Sequence, residues 1–461
     1  MFKNLDLNDE FNRALDLLEN TRAHVFISGR AGTGKSTLLE YFRGVTSKRV
    51  VVLASTGVAA VNVKGETIHS FFGFKPGVTL DKIRVIRSRR ADLYKEIDTV
   101  IIDEISMVRA DLLDCVDKFL RLNARDIHRP FGSVQMVFIG DLYQLPPVLT
   151  ADEKDAYYSK YKSIYFFGSD AFRGLPVEFV ELVKIYRQKD EEFIDILNAV
   201  RDNTVNKEHL DILNRKVVAG MHIEDFTEHV YLTPANRTAS LLNNDRLEGL
   251  GTELHVYKGE MEGDFSGKYL PTDAELSVKV GAQVMLLNND NEARWVNGTI
   301  GKVVDIRRDL NSSDIIIVEI PGNKTVEIGR HKWELFRFKL NENSRDLESE
   351  VVGAFVQYPL KLAWAITIHK SQGKTFEKII LDTTSGIFAT GQVYVALSRS
   401  RSLDGVILKK PLTRRDIRMN SEIVDFFKDF RAGRYESKGS LAGEIDIFGS
   451  PSEEERVIEL D

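Results

Sequence analysis

Eight residues, Gly29-Arg-Ala-Gly-Thr-Gly34-Lys35-Ser36, have the types and spacing of a phosphate-cradling loop, G-x-x-x-x-G-K-[ST]. The glycines let the backbone curl so that its N–H groups face a triphosphate. Lys35 is set to neutralise the β/γ oxygens, and Ser36 offers a hydroxyl to Mg²⁺. Asp103-Glu104 closes the apolar run Thr99-Val-Ile-Ile, where Asp103 can hold Mg²⁺ directly or through water. The adjacent Glu104 is the candidate base that orients and deprotonates an attacking water. Gly140-Asp141-Leu-Tyr-Gln144-Leu-Pro-Pro147 adds a neutral amide, Gln144, able to bridge a γ-phosphate to a distant surface. One arginine set against that phosphate is worth about 10³–10⁵ in rate. Two candidates are Arg187, beside the ring of Tyr186 that suits an adenine, and Arg399 in Ala396-Leu-Ser-Arg399-Ser-Arg401. Taken alone, either arginine reads more readily as a surface ion-pair partner. These residues imply a nucleoside triphosphate and leave open what its energy does.

The elements that must position this set are legible around it. His24-Val-Phe-Ile-Ser28 reads as a buried strand entering the loop, and Thr37-Leu-Leu-Glu-Tyr-Phe42 as a helix whose N-terminal dipole faces the phosphates. Apolar runs at Arg49 to Ala54, Thr99 to Asp103 and Gln135 to Gly140 alternate with helical stretches, the pattern of a parallel-sheet α/β fold. The alternation returns at Val230 to Pro234, Asn236 to Leu250, Lys378 to Asp382 and Val393 to Ser398. Between these pieces, from about Val256 to Val356, lie short β-rich runs separated by turn signals such as Asn297-Gly298 and Pro321-Gly-Asn323. That texture predicts a small β-barrel inserted into a second α/β domain. From Gly433 the chain is rich in Gly, Ser and Glu and reads as a flexible acidic tail.

Composition bounds the partners only loosely. A chain of 461 residues is too long for one core and suggests about three domains. No run approaches the roughly 18 apolar residues of a membrane span, and the acidic N-terminus lacks the basic-then-apolar form of a secretion signal. The single Cys115 excludes an intrachain disulfide and a thiolate zinc cluster, which points to a reducing cytoplasm. The net charge of −6 argues weakly against nucleic acid, yet basic residues gather at Lys82, Arg84, Arg87, Arg89 and Arg90 and again at Lys409, Lys410, Arg414, Arg415 and Arg418. Such clusters suit a phosphate backbone or a solvated face equally.

With Thr56-Gly57, Thr67-Ile-His69-Ser70 and Thr367-Ile-His369-Lys370-Ser371-Gln372-Gly373, the ordered series resembles a superfamily 1 helicase of the 5′-to-3′ branch, and within it the PIF (petite integration frequency) DNA helicase family. Gly29–Ser36 resembles motif I, Ser55–Phe72 motif Ia, Asp103–Glu104 motif II, and Gly140–Pro147 motif III. Tyr186–Arg187 resembles the arginine motif that follows, Thr367–Gly373 motif V and Gln392–Arg399 motif VI. Asp111-Leu-Leu-Asp114 through Arg129-Pro-Phe-Gly132-Ser-Val-Gln135 is similar to the signature that separates this family from its RecD-like relatives.

The resemblance implies two RecA-like domains with ATP and Mg²⁺ between them. Residues 1–182 would form the first, with a small wedge-like insertion at about 63–77. Residues 183–256 and 357–432 would form the second, with an SH3-like β-barrel over 257–356 and the tail over 433–461. Gly29, Ala31, Gly32, Thr33, Gly34, Lys35, Ser36, Thr37, Tyr186 and Gly373 would hold the nucleotide, and Ser36 and Asp103 the metal. Lys35, Glu104, Gln144, Arg187 and Arg399 would carry catalysis, the two arginines acting in cis. Thr56, Gly57, His69, Phe72, Thr367, His369 and Lys370 would touch DNA. Thr, His and Lys beside glycines suit backbone phosphates without reading sequence. Phe71, Phe72 and Phe74 read equally as base-stacking rings, a fork wedge or ordinary core.

The implied partners are single-stranded DNA and single/double-strand junctions, with quadruplexes and RNA–DNA hybrids open. No membrane is implied, and a monomer is expected without DNA, in a bacterial-like cytoplasm at the nucleoid. One departure stands out: Leu7-Asn8-Asp9-Glu10 is followed by Phe11, where the family carries an adenine-reading Gln. Two other readings remain, an ATP-switch clamp on DNA without unwinding and an RNA helicase.

Overall fold

The structure, a computed structural model, describes residues 7–432 except 88–89, 189, 219, 222–225, 227, 266–269, 291, 293, 309–312 and 342–345. Arg89 and the expected tail 433–461 lie outside the described residues.

The first third folds as the alternating pattern predicts. β1 (His24–Gly29), β2 (Val50–Ala54), β3 (Glu66–Thr67), β4 (Thr99–Asp103), β5 (Gln135–Gly140) and β6 (Val177–Leu182) form one sheet in the order β3-β2-β4-β5-β1-β6. Every pairing in it is parallel. Helices cover both faces, so the central strands are apolar without alternation. The helix Asp9–Asn20 starts where the Asn8 side chain accepts the Phe11 N–H, and it lays Phe11, Ala14 and Leu18 on the sheet.

β7 (Val230–Thr233) opens a second sheet. Among the described residues ten strands intervene: β8 (Leu254–Lys258), β9 (Glu260–Gly263), β10 (Glu275–Lys279), β11 (Gln283–Leu286), β12 (Ile300–Arg307), β13 (Ile315–Ile320), β14 (Lys324–Ile328), β15 (His331–Leu340), β16 (Leu347–Gln357) and β17 (Leu360–Leu362). All their pairings are antiparallel, in sheets ordered β14-β13-β12-β11-β17, β15-β16-β9 and β10-β8. β18 (Ala365–Thr367), β19 (Ile379–Leu381) and β20 (Val406–Leu408) then complete the second sheet, parallel throughout and ordered β18-β7-β19-β20. The chain is thus α/β, with two parallel sheets and an antiparallel insert between β7 and β18.

Among the contacts that tie distant segments to the first sheet, two stand at its edges and faces. The long β15–β16 hairpin reaches its edge, where the Phe338 N–H donates to buried Glu66 and the Phe338 ring meets Phe71 edge-on. The helix Ser421–Arg431, expected with the second domain, instead docks on the first sheet. Its apolar face carries Phe426, Phe427 and Phe430, which pack on Phe26, Phe167 and Phe179, and Arg431 pairs with Glu181 at 2.7 Å. Aromatic burial of this size outweighs proximity in sequence.

Within the segment 63–77, the reading of Phe71 and Phe72 as base-stacking rings is corrected by the same packing logic. Phe71 and Phe72 are 0% and 2% exposed, and Phe72 stacks on Phe74 and Tyr94 with Phe119 edge-on to it. Neither face of the Phe72 ring is free for a base. Phe72→Ala should therefore lower stability by about 3–5 kcal/mol. Chemical denaturation checks this, and the folded fraction should keep its affinity for single-stranded DNA.

Candidate functional site

β1 ends at Gly29, and the loop after it turns through Gly32 and Gly34 at φ +83° and +88° before the helix Lys35–Val45 begins. At Gly32 that left-handed backbone is combined with contact from across the cleft: an added Cβ would sit 2.5 Å from the Arg187 Cβ. The Tyr186 N–H donates to the Gly32 carbonyl at 2.9 Å, so the segment after β6 is fastened to the phosphate loop. Lys35 folds back with Nζ on the carbonyls of Gly29 and Arg30, at 2.7 and 2.9 Å, and burial holds its pKa below the usual lysine range.

Asp103 ends β4 and Glu104 follows it. Glu104 adopts φ +51°, a conformation that costs a non-glycine residue, and its N–H donates to the Asp103 carboxylate at 2.9 Å. Loss of water around the Glu104 carboxyl, reinforced by Asp103 beside it, pushes its pKa up to about 7. Gln144 is buried and donates to Asp141 at 3.3 Å.

The opposite wall comes from residues far along the chain. Arg187 donates to the Ser398 carbonyl at 3.2 Å. Arg399, 1% exposed, donates from Nε to the Val395 carbonyl, from Nη1 to those of Ser371 and Lys374, and from Nη2 to the Ser398 hydroxyl. Burial, with Arg187 nearby, pushes its pKa down to about 9, so it stays charged at neutral pH.

Between the walls lies a cleft of about 620 Å³. Ala31, Gly32, Thr33, Gly34, Lys35, Ser36, Thr37, Glu104 and Gln144 line one side, and Tyr186, Arg187, Gly373 and Arg399 the other. Gly29 and Asp103 end β1 and β4 and are not part of that lining, though the Gly29 carbonyl accepts from Lys35 Nζ. Loop N–H groups, a lysine and two arginines around an open space suit a polyphosphate. Phe11 also borders the cleft, with its ring 3% exposed.

The expected DNA residues split into two groups. Thr56 and Gly57 follow β2, His69 follows β3, Thr367 ends β18, and His369 and Lys370 follow it, so both groups sit at or beyond the carboxyl ends of parallel strands. Thr56 is exposed although its Oγ1 caps the helix Gly57–Asn62. The His369 ring stacks on Phe388 at 6.5 Å, and Phe388 is 62% exposed. Phe72 is taken out of the set by burial, and Thr367, 3% exposed with its Oγ1 accepting the Lys370 N–H at 3.3 Å, is nearly as enclosed. Of the basic clusters, Arg90 pairs with Glu66 at 3.5 Å and Lys409 with Asp382 at 3.1 Å, so neither side chain is an uncommitted cation.

Several residues at the site carried little signal of their own. Gln372 crosses the cleft to donate to Glu104 at 3.2 Å. Tyr394 approaches it from a wholly buried helix, and Arg201 from the end of an amphipathic one, both as ordinary-looking positions in sequence. The strict order of motifs V and VI was the only pointer to Gln372 and Tyr394, and none pointed to Arg201.

Comparison with known proteins agrees with this geometry. Residues 6–211 match the family model of the PIF1-like helicases. The chain is 33% identical over 439 residues to the ATP-dependent DNA helicase Pif1 of Bdellovibrio bacteriovorus, covering 92% of each. Pif1 from Bacteroides sp in complex with ADP-AlF4 superposes with a TM-score of 0.86 at 34% identity, over 94% of this chain and 99% of that one. Bacteroides Pif1 bound to single-stranded DNA gives 0.67 at 35% identity, over the same shares of the two chains. The two parallel sheets are therefore RecA-like. Among the described residues no helix is long and apolar enough to cross a membrane.

Proposed function

The chain belongs to the PIF1-like helicase family and is an ATP-dependent DNA helicase, and on that premise we propose that it moves 5′-to-3′ along single-stranded DNA by hydrolysing ATP in the cleft between its two RecA-like units. The observation that carries this reading is the convergence in one cleft of Lys35, Glu104 and Gln144 with Arg187 and Arg399. Lys35 and the loop N–H groups bind the β- and γ-phosphates, and Tyr186 offers its ring to the adenine. Glu104 orients and deprotonates the water, while Arg187 and Arg399 take up charge that develops on the γ-phosphate. Phe11 leaves the base edge to an apolar neighbour, which favours loose base selectivity.

Mg²⁺ enters with ATP, and Ser36 and Asp103 would hold it. A hydroxyl and one carboxylate suit a cation that keeps its waters and leans on phosphates, and no group of three or more His, Cys, Asp or Glu suited to a metal ion occurs among the described residues. When bound, the ion neutralises the phosphate oxygens. Thr56, Gly57, His69, Thr367, His369 and Lys370 grip the DNA backbone, so the path crosses the strand ends of both units. The antiparallel insert serves as an SH3-like barrel over about 257–356, between the halves 183–256 and 357–432 of the second unit, whose last helix, Ser421–Arg431, crosses to the first sheet. The relative bound to single-stranded DNA supports that substrate class, and the motif series supports the polarity. Junctions are the working substrate, and a monomer is the resting form.

Strand displacement on duplexes with a 5′ or a 3′ overhang tests the reading. Unwinding should need ATP and a 5′ overhang, and Lys35→Ala should abolish both turnover and unwinding. Unwinding from the 3′ overhang alone would overturn the polarity. ATP-dependent DNA binding without displacement would make the protein a clamp.

A further inference from the structure

Three buried polar side chains join the two RecA-like units beside the cleft. Asp141, after β5, is 0% exposed; Arg201, the last residue of the helix Glu191–Arg201, is 1% exposed; Tyr394, on the helix Gln392–Leu397, is 4% exposed. None of them handles phosphate in the reading above. Burying a carboxylate and a guanidinium this deeply is costly unless they are paired. Arg201 Nη1 donates to Asp202 at 3.2 Å, but the pairing of Arg201 with Asp141 is incomplete. The Arg201 guanidinium lies over the Tyr143 ring, 3.9 Å from its centroid, with Nε 3.6 Å from Asp141 Oδ1. That separation is too long for a hydrogen bond. Nε and Nη2 of Arg201 reach no acceptor among the described residues.

Oδ1 of Asp141 accepts the Tyr143 N–H at 3.3 Å, and the second carboxylate oxygen is shared by two side chains. The Tyr394 hydroxyl donates to Asp141 Oδ2 at 3.0 Å, and Gln144 Nε2 donates to the same atom at 3.3 Å. The Tyr394 hydroxyl also accepts the N–H of Ala31 in the phosphate loop, at 3.2 Å. The helix that carries Tyr394 is seated hard against the Gln144 loop. At its cap, Gly391 has φ +75°, and an added Cβ would lie 2.5 Å from the Tyr143 carbonyl oxygen.

We propose that Asp141, Arg201 and Tyr394 form the joint that couples nucleotide in the cleft to the DNA grip of the two units. The idea rests on the cleft being the ATP site. A bound γ-phosphate competes for the Ala31 N–H and for the Gln144 amide, the two groups now committed to Tyr394 and Asp141. As Gln144 leaves Oδ2, Asp141 turns to the waiting Nε and Nη2 of Arg201 and forms a two-bond fork. The second unit shifts with Arg201 and Tyr394. These are positioning residues, acting through Gln144 and the loop.

The test is a coupling factor: the ratio of dissociation constants for an oligo-dT strand without and with β,γ-imido-ATP, read by fluorescence anisotropy. In the unaltered protein it should fall within the usual allosteric span of about 5–150. Tyr394→Phe and Arg201→Lys should bring it to within about twofold of unity, while each ligand alone binds within about threefold of normal. A merely structural defect would weaken both ligands together and leave their ratio. Full coupling in both variants, parallel loss of both ligands in both, or no coupling in the unaltered protein overturns the proposal. Lys35→Ala separates the two readings: normal ATP turnover in that variant defeats the cleft as the ATP site. Lost turnover there with full coupling in the joint variants defeats only the joint.

Discussion

Arg399→Ala should lower DNA-stimulated ATP turnover by about 10³–10⁵-fold, with a much smaller change in the affinity for ATP. The expectation follows from where the guanidinium sits. It is 1% exposed, and burial pushes its pKa down to about 9, so a charged group is held in a site with little water. Charge placed that way stabilises a transition state far more than it would in bulk solvent. In this conformation its nitrogens rest on carbonyls of its own unit, at Val395, Ser371 and Lys374. Those weak acceptors are ready to be exchanged for a phosphate oxygen that carries more charge. Arg399→Lys should rescue only part of the rate, because one ammonium cannot reproduce the fork. Steady-state kcat and KM at saturating oligonucleotide check this. A kcat close to normal in Arg399→Ala would mean that the second unit does not complete the site.

Glu104→Gln should bind ATP and DNA yet turn over about 10²–10⁴-fold more slowly. The swap keeps size and leaves an oxygen for the Gln372 amide that now donates to Glu104 at 3.2 Å. It removes the ability to take a proton. The carboxylate is suited to that task because desolvation, with Asp103 alongside, lifts its pKa to about 7, close to the working range of a general base. The left-handed backbone at Glu104 fixes where the side chain leaves the strand, so a shift of register would not restore the geometry. Single-turnover chemistry, measured beside nucleotide and DNA affinity, separates the roles. Appreciable hydrolysis by Glu104→Gln would remove the residue from the base role.

Much of this site was legible because its first wall is local. Gly29 to Ser36, Asp103-Glu104 and Gln144 each follow a strand whose apolar run marks it, and a parallel sheet brings successive strand ends to one edge. The second wall was legible only through the order of motifs, since Arg187 and Arg399 look like surface arginines until the two sheets are brought face to face. What stayed hidden is what depends on tertiary contact alone. The ring of Phe72 was ambiguous because a Gly-rich stretch has no periodicity to reveal its buried side. The helix Ser421–Arg431 reads as a normal amphipathic helix, and nothing local says that its phenylalanines return to β1 and β6. Arg201 and Tyr394 acquire meaning only from Asp141, which lies more than fifty residues from either in sequence.

The central claim is that one chain supplies both walls of its ATP site. Mixing Lys35→Ala protein with Arg399→Ala protein tests it directly, because the first lacks one wall and the second lacks the other. If the arginine acts within its own chain, ATP turnover of the mixture on single-stranded DNA stays at the average of the two inactive proteins at every ratio. Recovery well above that average, rising with total concentration, would show the site assembling between chains and would contradict the account.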